Sequence, residues 1–215
     1  MKRLRNKLIF VILDGAADRR CEELQDRTPY ETAFKPNLDW LAEHGKSGLI
    51  LPIKKGVAPE SDAATLALFG IDPYATFVGR GSIEAYGVGI PLARGDLALR
   101  ANFATIRDKK IIDRRVGRTL TTREANELAK ALNNKVKMSF PFIFKPTIQH
   151  RGVLVIKGSF SDNITNTDPG YEKKGSFAVA VRKEEFEHSK PLDEEEDTKL
   201  SSNLVNSFIS QSILF

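Results

Sequence analysis

The sequence predicts an α/β protein with a second, small α+β domain. Three features of the 215-residue chain support this prediction. The uniformly apolar run 8–13, which ends at Asp14, is typical of a strand covered on both faces, as in a parallel sheet. Such runs alternate with helix-forming segments at the start of the chain, which is the pattern of a doubly wound domain. Beyond residue 92 the segments become short and alternating or amphipathic, which favours a separate α+β unit.

The N-terminal part predicts strands and helices in alternation. Residues 28–33 resemble a helix cap followed by one turn. Residues 36–45 predict a helix, because proline stands near the start and glycine past the end. Residues 47–52 predict the next strand. Residues 63–70, rich in alanine and leucine, predict a helix ended by Gly70.

A loop of turn-forming residues precedes that last helix and places Ser61 and Asp62 at its N-terminus. The expected domain bounds are 1–92 for the N-terminal α/β part, 93–190 for the α+β domain and 191–215 for a C-terminal helix. The elements predicted beyond residue 92 are a strand at 96–105 with 109–113 paired to it, a helix at 122–132 with Leu128, Ala129 and Leu132 on one face, strands at 151–157 and 176–181, and an amphipathic helix at 200–215.

The composition excludes several classes of protein. Cys21 is the only cysteine, which rules out an internal disulfide and a cysteine-rich zinc site and favours the reducing cytoplasm. Because no apolar run reaches the roughly 18 residues that span a bilayer, we expect no membrane partner. The net charge of +5 is modest and the basic residues are scattered, unlike the basic stripes of nucleic-acid grooves. We therefore expect a small anionic substrate and no nucleic acid.

Asp14 and Ser61 are the first candidates for chemistry. A carboxylate at a strand end can hold a divalent metal, and a serine at a helix N-terminus lies where backbone N–H groups favour a phosphate. A metal would also lower the pKa of the hydroxyl and make the serine a nucleophile. From spacing alone the plainer interpretation is favoured: Ser61 as an N-cap and Asp14 as part of a turn.

Arginines form the second candidate group. The segment 113–118 carries three guanidiniums, whose planar forks suit phosphate and carboxylate, although a solvated basic loop explains it equally well. Arg80 and the pair His150-Arg151 are the further candidates, and His150 is the one histidine to which we assign a ligand contact.

A series of short motifs also follows a fixed order along the chain. The motifs are Val11-Ile12-Leu13-Asp14-Gly15, Thr28-Pro29, Pro36-Asn37-Leu38, Pro59-Glu60-Ser61-Asp62, Gly70-Ile71-Asp72-Pro73, Gly79-Arg80-Gly81, Arg100-Ala101-Asn102-Phe103-Ala104-Thr105, Asp113-Arg114-Arg115-Val116-Gly117-Arg118, His150-Arg151-Gly152-Val153 and Thr167-Asp168-Pro169. From about residue 8 onward this series resembles the archaeal-type cofactor-independent phosphoglycerate mutases of the alkaline phosphatase superfamily.

The resemblance implies a partial alkaline-phosphatase-like sheet with a small inserted α+β lid domain. It implies that 3-phosphoglycerate and 2-phosphoglycerate interconvert through a phosphoserine, as in glycolysis and gluconeogenesis. Two divalent ions (Mn, Co, Zn or Mg) would serve the complete enzyme, with Asp14 and Ser61 as ligands of one. Ser61 would be the nucleophile and Asp113 an acid/base or orienting group. The substrate would be bound by Arg80, Arg114, Arg115, Arg118, His150 and Arg151.

The resemblance also implies that half of the metal site lies elsewhere. Members of the family are about twice as long, and their remaining metal ligands lie in a C-terminal half. The apolar end at Ile213, Leu214 and Phe215 predicts that the chain continues, so we expect a fragment with little or no mutase activity alone. An unfinished sheet edge leaves homo-oligomerisation open.

The sequence also leaves two other functions open. One is another metallophosphatase of the superfamily, or a relative that decarboxylates phosphonopyruvate. The other is a non-catalytic module that binds phosphoglycerate through its arginines.

Overall fold

The computed structural model describes residues 7–55, 57, 59–76, 79–108, 110–174, 177–181 and 186–214. Its contacts divide the chain into two compact units, Met1–Ile50 and Leu51–Phe215. The helices are α1 Pro29–Thr32, α2 Pro36–His44, α3 Ser61–Leu68, α4 Pro73–Thr76, α5 Arg80–Gly87, α6 Thr122–Lys135 and α7 Glu196–Ser212. The strands are β1 Leu97–Asn102, β2 Thr105–Arg107, β3 Lys110–Asp113, β4 Phe142–Pro146, β5 Arg151–Ile156, β6 Tyr171–Lys174 and β7 Phe177–Ala180.

The first unit contains the two predicted helices α1 and α2. Thr28 begins α1 with a reciprocal cap: its hydroxyl accepts from the Glu31 N–H at 3.0 Å, and the Glu31 carboxylate accepts from the Thr28 N–H at 2.8 Å. This capping box satisfies two backbone donors that a helix start leaves unpaired. Gly45 follows α2, as predicted.

The prediction of strands at 8–13 and 47–52 is wrong for this structure. Both segments lie outside the strands of the described residues, and their apolar side chains are exposed. A strand forms only when a neighbour satisfies its backbone N–H and C=O groups. Within the described part of the chain, neither segment is joined to such a neighbour.

The second unit is built on a three-stranded antiparallel sheet of order β1-β5-β4. The central strand β5 is buried from Gly152 to Ile156 because helices cover both of its faces. Val153 and Val155 pack with Ala85 of α5 on one face. Leu154 and Ile156 belong to the larger core on the other face, which includes side chains of α6 and α7.

Gly81 lets α5 approach the sheet closely. A Cβ at this position would clash with the main chain of Ala98 and Leu99 in β1. The absence of a side chain therefore holds the first turn of α5 directly against β1. This contact positions the polar residues of α5 over the end of the sheet.

Most of the other predicted elements of this unit are confirmed. The predicted helix 122–132 is α6, although its buried side chains are Ala125, Ala129 and Leu132, while Leu128 is 44% exposed. The predicted strand 96–105 corresponds mainly to β1, which pairs with β5 and not with 109–113. Thr105, in β2, is the residue of that strand that pairs with β3, opposite Asp113; residue 109 lies outside the described residues.

The predicted C-terminal helix is present as α7, and its apolar side chains Leu204, Val205 and Phe208 are buried. The predicted strand at 176–181 is present as β7, while Ser176 and Phe215 lie outside the described residues. Among the helices described here, none has the length and apolar character needed to cross a membrane.

Candidate functional site

One end of the β1-β5-β4 sheet carries a row of polar side chains. Asn102, the last residue of β1, lies opposite Arg151, the first residue of β5, and Arg100 lies opposite Val153. Opposite residues, and residues two apart on a strand, share a face of the sheet. Because Val153 packs with Ala85 of α5, the side chains of Arg100, Asn102 and Arg151 lie on the face that α5 covers.

The helix α5 adds two charged side chains to this end of the sheet. The Glu84 carboxylate lies 3.6 Å from Nε of Arg100 and 4.0 Å from Nε of Arg80. Burial lowers the pKa of Arg100, and the positive charges of Arg80 and Arg151 lower it further. An arginine nevertheless stays protonated at neutral pH, so Arg100 lies near two other positive charges, and Glu84 pairs with Arg80 and Arg100.

Several buried polar atoms at this end have no hydrogen-bond partner within the described chain. Such atoms are uncommon in folded proteins, and each one left unpaired costs about 1–3 kcal/mol. When they occur together, they indicate groups that await a ligand. They are Nε of Arg100, Oδ1 of Asn102, Oγ1 of Thr147, Nδ1 of His150 and Nε of Arg151.

Arg114 is held by Asp168 beside the same row. Its Nε donates to Oδ1 and its Nη2 donates to Oδ2 of Asp168, both at 2.8 Å. Asn102 donates to the same carboxylate at 3.1 Å, and the guanidinium carbon lies 4.9 Å from the centre of the Tyr171 ring. The Asp168 hydrogen bonds raise the pKa of Arg114. The bidentate pair therefore fixes this guanidinium and occupies two of its donor nitrogens.

Asp113 shapes the loop that carries the other predicted arginines. Its two carboxylate oxygens accept from the backbone N–H groups of Arg115 at 2.7 Å and Gly117 at 2.9 Å. These hydrogen bonds hold the pKa of Asp113 below its usual range. Val116 and Arg118 adopt positive φ angles of 50° and 59°, which is strained for a β-branched residue such as valine.

His150 is 5% exposed, and its carbonyl oxygen accepts from the Phe103 N–H at 2.7 Å. Burial lowers the pKa of its ring, and the charges of Arg151, Arg115 and Arg118 lower it further. The imidazole is therefore neutral at pH 7. The loop after β3 therefore lies close to the row at the sheet end. We call the two together the basic region of the second unit; its predicted residues are Arg80, His150, Arg151 and those of the segment 113–118.

The two predicted metal ligands belong to different units of the chain. Ser61 lies at the N-terminus of α3, as predicted, but it is the exposed first residue of the helix and not the N-cap, which is Glu60. Its carbonyl accepts from the Thr65 hydroxyl at 2.5 Å. Asp14 belongs to the first unit, where it lies exposed in a turn rather than after a strand. Across the described ranges, no group of three or more histidine, cysteine, aspartate or glutamate side chains could hold a metal ion.

Sequence reasoning missed some residues of this region. Arg100, Asn102 and Asp168 were noted only as parts of motifs, and Glu84 and Thr147 were not noted. The alternation of β1 could have indicated that Arg100 and Asn102 share a face. The pairing of that face with Arg151 depends on which strands are neighbours, and this follows from tertiary structure.

Comparisons with known proteins agree with the motif series. A model of 2,3-bisphosphoglycerate-independent phosphoglycerate mutases matches residues 42–214. A curated relative of this name from Aeropyrum pernix is 45% identical and aligns with 96% of this chain and 50% of its own length. Another of the same name, from Pyrococcus horikoshii, is 46% identical over 85% of this chain and 47% of its own length. The chain thus spans about half the length of the curated relatives it matches.

A solved structure is similar as well. The cofactor-independent phosphoglycerate mutase from Thermoplasma acidophilum is 38% identical and superimposes with a TM-score of 0.52. The similarity covers 92% of this chain and 49% of that one. The mixed α/β architecture with small antiparallel sheets is therefore shared with part of a mutase.

Proposed function

Because the chain belongs to the 2,3-bisphosphoglycerate-independent phosphoglycerate mutase family, we propose that it supplies the phosphoglycerate-binding part of such an enzyme. The observation that carries this proposal is the group of unpaired, buried polar atoms among arginines at the end of the β1-β5-β4 sheet. A phosphoglycerate carries a phosphate, a carboxylate and a hydroxyl. Guanidiniums suit the first two groups, and the excess positive charge of the site would attract a polyanion.

The two anionic groups of the substrate would bind to two different sets of residues. Arg80 and Arg151, at the sheet end, would bind one anionic group. Arg115, Arg118 and His150 would bind the other, since the charges of these arginines act on the imidazole. Arg114, whose guanidinium Asp168 holds in place, would contribute its positive charge to this group.

Asp113 orients the substrate-binding loop. Both of its carboxylate oxygens accept backbone N–H groups, and its lowered pKa keeps it ionised at neutral pH. These features favour the orienting role over that of a general acid.

Ser61 is the proposed nucleophile. The Ser61 oxygen forms a bond to phosphorus as the bond between phosphorus and the 3-oxygen of glycerate breaks. The hydroxyl proton of Ser61 is lost in this step, and the 3-oxygen of glycerate gains a proton. The 2-hydroxyl then attacks the phosphoserine, its proton returns to Ser61, and 2-phosphoglycerate forms. Residues 93–190 would close over the substrate as a lid, because exclusion of water prevents hydrolysis of the phosphoserine.

The described residues do not by themselves fit a divalent metal. A catalytic site takes about three protein ligands per ion, whereas Asp14 and Ser61 are the two candidates, and they belong to different units. We therefore assign no step to a metal on this chain. The remaining ligands would come from a second segment about as long as the half of the curated relatives that this chain does not cover. The lone Cys21 keeps the cytoplasm as the expected location.

One alternative has support from the structure. A non-catalytic module that binds phosphoglycerate would need the basic region but no cluster of metal ligands. The described residues have the first and lack the second.

A chimera distinguishes the two functions. This chain would replace the N-terminal half of the Aeropyrum pernix relative, and the interconversion of the two phosphoglycerates would be followed by ³¹P NMR. We expect turnover by the chimera, loss of turnover in its Ser61→Ala variant and little change in Ser47→Ala, a control at another exposed serine. The chain alone should be almost inactive even with added manganese. A folded but inactive chimera that still binds 3-phosphoglycerate would favour the binding module.

A further inference from the structure

Arg100 is a largely buried arginine of the basic region. It stands within β1, and its side chain is 15% exposed. Its Nε is buried and has no hydrogen-bond partner within the described residues. The Glu84 carboxylate, at 3.6 Å, is beyond an ordinary hydrogen bond. Nε of Arg100 therefore forms an ion pair with Glu84 but no hydrogen bond, which leaves its N–H available to a ligand.

The charges around Arg100 are unbalanced. Arg80 and Arg151 are close enough to lower its pKa, and Glu84 is shared between Arg80 and Arg100. Placing like charges together in a partly buried site is unfavourable unless a counter-charge is present. A bound anion supplies that counter-charge.

An anion alone would not satisfy every unpaired atom at the sheet end. Asn102 donates its amide N–H to Asp168, which leaves Oδ1 as a buried acceptor without a donor. The Thr147 N–H donates to the Arg151 carbonyl at 2.9 Å, which continues the ladder and brings the unpaired Thr147 hydroxyl to the same end of the sheet. An anionic group has no proton to give to Asn102 Oδ1, whereas a hydroxyl does.

We propose that Arg100, together with Arg151, binds an anionic group of a hydroxy acid, and that Asn102 Oδ1 accepts a hydrogen bond from the hydroxyl of the same ligand. The identity of that ligand as phosphoglycerate rests on the proposed function. The assignment adds Arg100 and Asn102 to the ligand-binding residues and makes Asn102 a determinant of specificity for a hydroxyl-bearing ligand.

The Nε–H signal of Arg100 provides a test on the unmodified chain. The 215-residue chain labelled with ¹⁵N-arginine would be titrated with 3-phosphoglycerate and separately with inorganic phosphate. We expect 3-phosphoglycerate to shift the Arg100 signal at lower concentrations than phosphate. If neither ligand shifts it, the inference is overturned. If both shift it at equal concentrations, Arg100 is an anion-binding residue and the proposed function fails.

Variants test the same inference by affinity. Charge-assisted hydrogen bonds contribute enough that Arg100→Met should weaken 3-phosphoglycerate binding by about tenfold or more, and Arg100→Lys should weaken it less. Arg94→Met, at an exposed arginine, should leave affinity within about twofold. Circular dichroism establishes that each variant is folded. Wild-type affinity in a folded Arg100→Met chain would overturn the inference and leave the proposed function standing.

The contact between Asn102 and the ligand hydroxyl is tested by comparing the affinities of two ligands. The ligand 3-phosphooxypropanoate lacks the 2-hydroxyl of 3-phosphoglycerate and is otherwise alike. A site that hydrogen-bonds a hydroxyl penalises its absence, so the wild-type chain should prefer 3-phosphoglycerate by about tenfold. The Asn102→Leu variant should lose this preference. Equal affinity of the wild-type chain for the two ligands would contradict the role of Asn102.

Discussion

Arg114 donates two hydrogen bonds of 2.8 Å to Asp168, which stands 54 residues further along the chain. Gly170 makes this pair possible in two ways. Its N–H donates to the same carboxylate at 2.9 Å, and a Cβ on Gly170 would clash with the Arg114 guanidinium. The pair therefore ties the loop after β3 to the segment that precedes β6.

Two substitutions disrupt this pair by different means. Asp168→Asn removes the negative charge, whereas Gly170→Ala displaces the guanidinium without changing any charge. Each should lower the free energy of unfolding by about 1.5–3 kcal/mol, the usual contribution of hydrogen bonds to charged groups. Because both act on one pair, the double variant should cost little more than the larger single loss. Urea denaturation measures all three, and strictly additive losses would show that the pair is not the shared element.

The His150 ring should titrate below the usual histidine value of about 6.5. Burial and the charges of Arg151 and Arg115 disfavour its protonated form. The unfolded chain then binds more protons than the folded chain as pH falls below about 6.5, so this group lowers stability over that range. NMR titration of the ring, assigned with a His150→Gln variant, measures the pKa. Added 3-phosphoglycerate should raise it, and a pKa at or above 6.5 in the free chain would contradict the account.

The close packing of α5 on β1 predicts opposite effects for the same substitution at two glycines. Gly81→Ala adds a methyl group against the main chain of Ala98 and should destabilise the chain by about 1–3 kcal/mol. Gly87→Ala, at the exposed end of the same helix with open space around it, should stabilise it by up to about 1 kcal/mol. Thermal unfolding compares the two. A stable Gly81→Ala chain would place α5 further from the sheet than described.

Asn133 protects the free edge of β4. Its amide donates to the Phe144 carbonyl at 2.7 Å, and its Oδ1 accepts from the Phe144 N–H at 2.9 Å. Asn133→Ala should therefore cost about 1–2 kcal/mol and promote self-association through the uncovered edge. Asn134→Ala, an exposed neighbour on the same helix, is the control for helix propensity. Urea denaturation and sedimentation measure the two effects, and equal behaviour of the variants would contradict this role.

The helices were the most predictable part of the fold, because their signals are local. The cap at Thr28, the proline that starts α2 and the apolar positions of α7 each act within a few residues. The apolar runs 8–13 and 47–52 are different, since a strand depends on a neighbour that its own sequence does not specify. Neither run forms a strand among the described residues.

The candidate site was predictable only in its composition. The motifs identified Arg151 and the arginines after Asp113, since these residue types suit phosphate and carboxylate. They did not reveal that Asp168 holds Arg114, or that Arg100 lies on the face shared with Arg151. Both relationships join residues more than 50 positions apart, so they depend on strand pairing and not on local pattern.

Calorimetric titration of the 215-residue chain with 3-phosphoglycerate tests the central claim most directly. The account predicts saturable binding at one site, weakened by salt because it depends on charge, and weakened about tenfold or more in a folded Arg151→Met variant. Arg123→Met, an exposed arginine on α6, should bind as the wild type does. A folded chain that binds no 3-phosphoglycerate, or an Arg151→Met variant that binds it unchanged, would contradict the assignment of the basic region as the phosphoglycerate site.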